Sequence, residues 1–185
     1  MLKRSQGGAQ RGISVIEMIF TVALLGILTQ IAVPSFGGWM ERQRVRSAAE
    51  SIHAGIQLSR VEALVRNARV RFTLAADGSW SVACVATSPG CPSTADLHVR
   101  NGQETSGGIT MAVNGSTATS ATSVTYDAQG RLVTTEAGRI QQVDLLASAE
   151  ADSLSSSSAT RIVMSDFGRT RLCYPHASEG SPTRC

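Results

Sequence analysis

Lysine stops at position 3. Every later basic residue is arginine, so a phosphate-binding loop of the G-x-x-x-x-G-K-[ST] type cannot be assembled. A G-x-S-x-G nucleophile elbow is missing as well. Aromatic residues make up only 4% of the 185, and a core must therefore be built mainly from Val, Ile, Leu and Ala. The three histidines, His53, His98 and His176, are dispersed, and no C-x-x-C pair exists, which removes the usual zinc spacings. No metal or cofactor is expected, and nothing argues for an enzyme. Bulk charge is scarce too. The formal +3 rests on Lys3, Arg4 and Arg11, behind which fourteen basic residues face fourteen acidic ones. An anionic partner would have to be held by local arrangement.

What is present begins with GISVIEMIFTVALLGILTQIAVPSF, residues 12–36. From Ile13 to Phe36 the run carries a single charge and is long enough, as a helix, to span roughly 30 Å of hydrocarbon. The basic leader ahead of it places the N-terminus in the cytoplasm and residues 40–185 on the far side of the inner membrane, with Trp39 as an interfacial anchor. An ordinary signal peptide would end in an A-x-A-like site, which Thr29, Gln30, Ile31 and Ala32 fit poorly. The single charge is Glu17. A carboxylate in a bilayer costs about 2.5–3.5 kcal/mol on insertion scales, so it needs a cation. A cut after Gly12 supplies one, the new amine of Ile13, one helical turn away.

This pattern resembles the type IV pilins and pseudopilins: a short basic leader, Gly12, a cut, an apolar helix, and Glu17 as the fifth residue counted from Ile13. Pro34 falls where that family places a helix-kinking proline. The resemblance implies cleavage by a prepilin peptidase between Gly12 and Ile13 and methylation of the Ile13 amine. It also implies assembly with other pilin or pseudopilin subunits, in which Glu17 meets a neighbour's N-terminus. The family usually begins its mature chain with Phe, from which Ile13 is a mild departure.

After Gly37 and Gly38, which soften the backbone, Glu41 to Arg66 reads as an amphipathic helix. Val45, Ala48, Ala49, Ile52, Ile56 and Ala63 recur at spacings of three, four or seven. From Arg69 the period becomes two. VRFTLAADGSWSVACVA predicts a hairpin around Asp77-Gly78. Further strands are expected at 109–113, 124–126, 131–134, 140–146, 162–164 and 170–174. Asn114-Gly115-Ser116 matches a glycosylation sequon but reads as a turn, and the stretches 116–123 and 148–160 read as polar loops. One helix feeding a run of antiparallel strands makes the class α+β. The organisation is then a leader (1–12), a transmembrane and assembly helix (13–36), an amphipathic helix (37–67) and a β-rich periplasmic or extracellular domain (68–185).

Cys84, Cys91, Cys173 and Cys185 all lie on the oxidising side, where disulfides form. Of three pairings, the local ones, Cys84–Cys91 and Cys173–Cys185, each close a short loop beside an expected strand. Spacing alone leaves a crossed pattern open.

Two further stretches, LSRVEALVRNARVRF at 58–72 and VTYDAQGRLV at 124–133, resemble the FimT/GspH minor pilins, the first through Arg60, Glu62 and Ala63. Near the end, Arg169 and Arg171 stand one residue apart, so on a strand both leave the same face. Guanidinium groups grip phosphate bidentately. Gly168-Arg169-Thr170-Arg171 resembles the C-terminal Gly-Arg-x-Arg motif of FimT proteins, and the resemblance implies sequence-independent DNA binding for uptake in natural transformation. Arg161 and Arg184 are candidates to extend the patch. The rival expectation is a GspH-like pseudopilin of a type II secretion system, purely structural. A tip adhesin for another ligand has no residue-level support.

Overall fold

The computed structural model describes residues 14–102, 109–115, 122–136, 138–147 and 159–185, and only the backbone at 31–36. Gly12 and Ile13 lie outside them, as do most of the two polar loops. The chain divides into two compact units, Met1–Trp39 and Met40–Cys185. One helix, α1 (Val15–Arg66), contributes to both.

In the first unit the apolar side chains from Val15 to Leu28 are exposed. Its threonines satisfy their hydroxyls locally: Thr21 Oγ1 donates to the Met18 carbonyl at 2.9 Å and Thr29 Oγ1 to the Leu25 carbonyl at 3.0 Å. Such internal bonding suits apolar surroundings. Glu17 occupies the first turn, where the helix dipole favours an acid. Among the described residues no helix is long and apolar enough to cross a membrane. The span expected at 13–36 includes Ile13 and the side chains of 31–36, which are not among them. The helix runs on through Pro34, Gly37 and Gly38, where the sequence suggested a softened backbone. A proline removes one hydrogen bond of the ladder and leaves the others available.

In the second unit the helical stripe is buried as expected: Val45, Ala48, Ala49, Ile52, Ile56 and Ala63 all face the core. The helix ends at Asn67, whose φ of 48° is left-handed, and the Ala68 N–H reaches back to the Ala63 carbonyl at 3.2 Å. This is a Schellman-type stop.

Two four-stranded antiparallel sheets follow. The first has the order β3 (Asp96–Arg100), β2 (Trp80–Cys84), β1 (Val70–Leu74), β5 (Ser123–Tyr126). The second runs β4 (Ile109–Gly115), β6 (Ile140–Ala147), β7 (Thr160–Met164), β8 (Thr170–Cys173). Alternation along β1 buries Val70, Phe72 and Leu74, and along β7 it buries Ile162 and Met164. Both sheets and the helix contribute to a single core. Gly55 lets α1 press against the first sheet, since a Cβ there would stand 2.8 Å from Phe72 Cε2 and 3.0 Å from the Trp80 ring. The Trp80 indole donates to Ser51 Oγ at 3.1 Å. The α+β class is therefore as the sequence indicates, a helix packed on antiparallel sheets.

The β1–β2 hairpin turns at Asp77-Gly78, with Gly78 at φ 78°. Both local disulfides are formed, Cys84–Cys91 and Cys173–Cys185. Two expectations are corrected and one strand is added. The segment 131–134 is no strand: Leu132 makes one isolated bridge with Tyr126 before the chain turns. Asn114-Gly115 is not a hairpin turn but the irregular end of β4, where the register with β6 shifts so that Gly115 opposes Ile140. And β3 was not anticipated, because its side chains are half-buried or exposed without alternation.

Candidate nucleic-acid interface

The second sheet turns one face to the core and the other outward. Pairing of Val163 with Arg171 and of Ile162 with Leu172 puts Arg171 on the outward face and Thr170 and Leu172 on the inward one. The Gln57 carboxamide of α1 donates to Thr170 Oγ1, which ties β8 to the helix. Arg169 and Arg171 consequently project outward together, both exposed, about 6–7 Å apart at strand rise.

Ser165–Gly168 forms the turn that delivers them. The Ser165 N–H donates to the Arg169 carbonyl at 2.9 Å, the Gly168 N–H donates to the Ser165 carbonyl at 2.9 Å, and Ser165 Oγ accepts from the Arg169 N–H at 3.1 Å. Gly168 sits at φ 75°, where a side chain is strained, and a Cβ would lie 3.1 Å from Leu132 Cβ and Tyr126 Cε1. The buried Tyr126 hydroxyl donates to the Gly168 carbonyl at 3.2 Å. Burial pushes this phenol up to about 12, against the opposing pull of the Arg60 charge, so it stays a donor at any physiological pH. The first sheet thus buttresses the hairpin tip of the second.

Charge around the tip is distributed unevenly. Asp166, the carboxylate of the turn, is taken by Arg139 at 2.6 Å, and Glu179 by Arg184 at 3.3 Å. Neither carboxylate pairs with Arg169 or Arg171. Arg171 Nη2 donates to the Arg184 carbonyl at 3.1 Å, and the Arg169 guanidinium has no partner among the described residues. Arg184 is brought close by the Cys173–Cys185 disulfide, whose Cα atoms are 5.0 Å apart, and by a bridge between Tyr174 and Arg184.

Arg161 is differently placed. It faces Asp144 directly across β6 and β7, with Nε 2.5 Å and Nη2 3.4 Å from the carboxylate oxygens. Asp144 is only 3% exposed and also accepts from Gln142 Nε2 at 2.6 Å. The Arg161 guanidinium is committed to neutralising a buried acid. Among the described residues no group of three or more His, Cys, Asp or Glu is positioned to hold a metal ion.

The family model described as type II transport protein GspH matches residues 48–168, most of the chain. The chain belongs to the GspH family. As a GspH-family chain it is a type IV pilin-like minor pilin of the FimT/GspH kind, and the family points to a structural protein that assembles with other pilin subunits. Its fold is similar to that of the Pseudomonas aeruginosa PAO1 type IV minor pilin FimU. That likeness has a TM-score of 0.52 and 18% identity, covering 75% of this chain and 98% of FimU. A second crystal form of FimU aligns with TM-score 0.48 and 17% identity, covering 71% and 98%. No curated protein matches by sequence.

The supports of the site are what sequence reasoning missed in this GspH-family chain. Arg139 on Asp166, Tyr126 under Gly168 and the Asp144–Arg161 pair join residues 17 to 42 positions apart. Only a strand register brings such residues together.

Proposed function

We propose that this GspH-family minor pilin binds DNA through Arg169 and Arg171 and serves DNA uptake in natural transformation. One observation carries the reading: both guanidiniums are exposed on one face with no carboxylate partner among the described residues, while Asp166 and Glu179 are neutralised by other arginines. Gly168 sets the turn that aims them, Arg184 lies beside Arg171, and Arg161 belongs to Asp144 instead. Contacts of this kind read phosphates and not bases, so binding is independent of sequence and falls with salt by about 0.9 log units per neutralised phosphate. With two to four phosphates a single site is weak, and several copies in a filament raise its avidity.

The same reading includes a membrane stage. The peptidase cuts between Gly12 and Ile13, the Ile13 amine is methylated, and the 13–36 segment holds the chain in the inner membrane with its β-rich domain in the periplasm. Glu17 then pairs with a neighbouring subunit's N-terminus in the pilus or pseudopilus, and Pro34 bends the assembling helix. A Glu17→Val chain should insert normally and fail to enter filaments; normal incorporation refutes that role.

The DNA role is tested by mobility shift with the full chain in mild detergent. The wild-type protein should retard DNA at low salt, and Arg169→Ala and Arg171→Ala should each weaken the shift. The GspH family description favours one rival, a structural pseudopilin of a type II secretion system. A wild-type chain that leaves DNA unshifted at low salt decides for that rival.

A further inference from the structure

Phe167 is 85% exposed, more than any other large apolar side chain among the described residues. It stands at the tip of the β7–β8 hairpin, two residues before Arg169. The tip is held by the Ser165–Arg169 and Ser165–Gly168 backbone bonds, by the Tyr126 hydroxyl on Gly168 and by Arg139 on Asp166. The ring therefore has no route into the core, where Tyr126 and Leu132 already fill the space beside Gly168. A water-exposed aromatic carried on a held turn ahead of two outward arginines is a contact placed before any ligand arrives.

Beside the ring runs an open groove of about 460 Å³, lined by Asn114, Gln141, Gln142, Val163, Met164, Ser165, Asp166 and Phe167. Its floor follows one transverse row of the sheet. Asn114 pairs with Gln142, Gln142 with Val163, and Val163 with Arg171, so the row continues along a single face from the groove to Arg171. Apart from the Asp166 carboxylate, whose charge Arg139 offsets at 2.6 Å, the lining combines a π-face with carboxamides and a hydroxyl, groups that stack on a flat heterocycle and meet its polar edge.

A ligand using all of this has successive phosphates for Arg169 and Arg171 and a free base for the ring and groove. Duplex DNA lacks the second element, since its bases are stacked on each other and their pairing edges are occupied. We propose that Phe167 and its groove form a stacking site for an unpaired base, so that the hairpin prefers single-stranded DNA to duplex; this rests on the DNA reading above and refines it.

The test is fluorescence polarisation on the full chain in detergent micelles, with a labelled oligothymidylate and a duplex of equal length at the same low salt. Phe167→Ala should weaken oligothymidylate binding about tenfold and leave duplex binding unchanged, given what base–aromatic stacking contributes elsewhere. Phe167→Trp should keep the single-strand affinity, and its indole emission should be quenched on binding. Arg169→Ala should weaken both ligands. If Phe167→Ala leaves the oligothymidylate untouched, or lowers both ligands alike, while Arg169→Ala still weakens both, the stacking site is refuted and the DNA reading stands. Wild-type protein that binds neither ligand overturns both.

Discussion

Removing Arg161 separates a structural arginine from a binding one. The substitution Arg161→Ala leaves the Asp144 carboxylate, 3% exposed, with only the Gln142 carboxamide donating to it among the described residues. Breaking a buried ion pair from one side costs ~3–5 kcal/mol. The Arg161 side chain is 24% exposed, so water enters the vacated position and the lower end, about 3 kcal/mol, applies. In a unit the size of residues 40–185 that loss lowers the melting midpoint by ~6–12 °C. The reverse change, Asp144→Asn, keeps a polar group in place and releases Arg161 toward solvent, for a cost of about 1 kcal/mol. Urea unfolding of residues 40–185 with both disulfides intact measures each variant and the double mutant. The unit suits this because the whole buried core lies within it. The two changes should couple by at least about 1 kcal/mol. An Arg161→Ala variant that stays within about 1 kcal/mol of wild type and loses DNA affinity as Arg169→Ala does would refute the reasoning, returning Arg161 to the binding surface.

Three further outcomes follow from other contacts. The hydrogen bond from His98, with help from Arg66 and against the opposing effect of burial, holds the Glu62 carboxyl below its usual range. Its stabilising effect is present above the unfolded value of about 4.3 and lost as pH falls through the lower folded value. Urea midpoints should therefore drop in this acid window for wild type and drop less for Glu62→Gln; equal slopes would dismiss the contact. Gly168→Ala combines a left-handed backbone with a Cβ 3.1 Å from Leu132 and Tyr126. It should lower stability by about 2 kcal/mol in a thermal melt and weaken DNA binding by displacing Arg169. Cys185→Ser opens a loop of 12-residue separation and should cost ~2–4 kcal/mol, read by chemical denaturation.

The sequence made the periodic parts of the fold legible. Apolar spacing marked the helix face from Val45 to Ala63, and alternation around Asp77-Gly78 marked the first hairpin, because burial on one side imposes those periods. Where burial is partial the signal fades. Asp96–Arg100 forms an edge strand from half-exposed residues, and 131–134 alternates like a strand yet makes one isolated bridge, Leu132 with Tyr126, before it turns away. Asn-Gly favours turns, but at 114–115 the pairing of β4 with β6 outweighs that preference. At the site, the two outward arginines and the glycine before them were readable because they are local. What neutralises Asp166, what supports Gly168 and what occupies Arg161 were not, since each depends on residues carried in by another strand.

The bridge between Tyr174 and Arg184 has a practical side. It caps the end of β8, the margin of its sheet, and so withholds backbone amides that would otherwise recruit a strand from a second molecule. Thiol reductants in a purification buffer unfasten this cover by opening Cys173–Cys185. Preparations kept free of them should stay monodisperse longer than reduced ones.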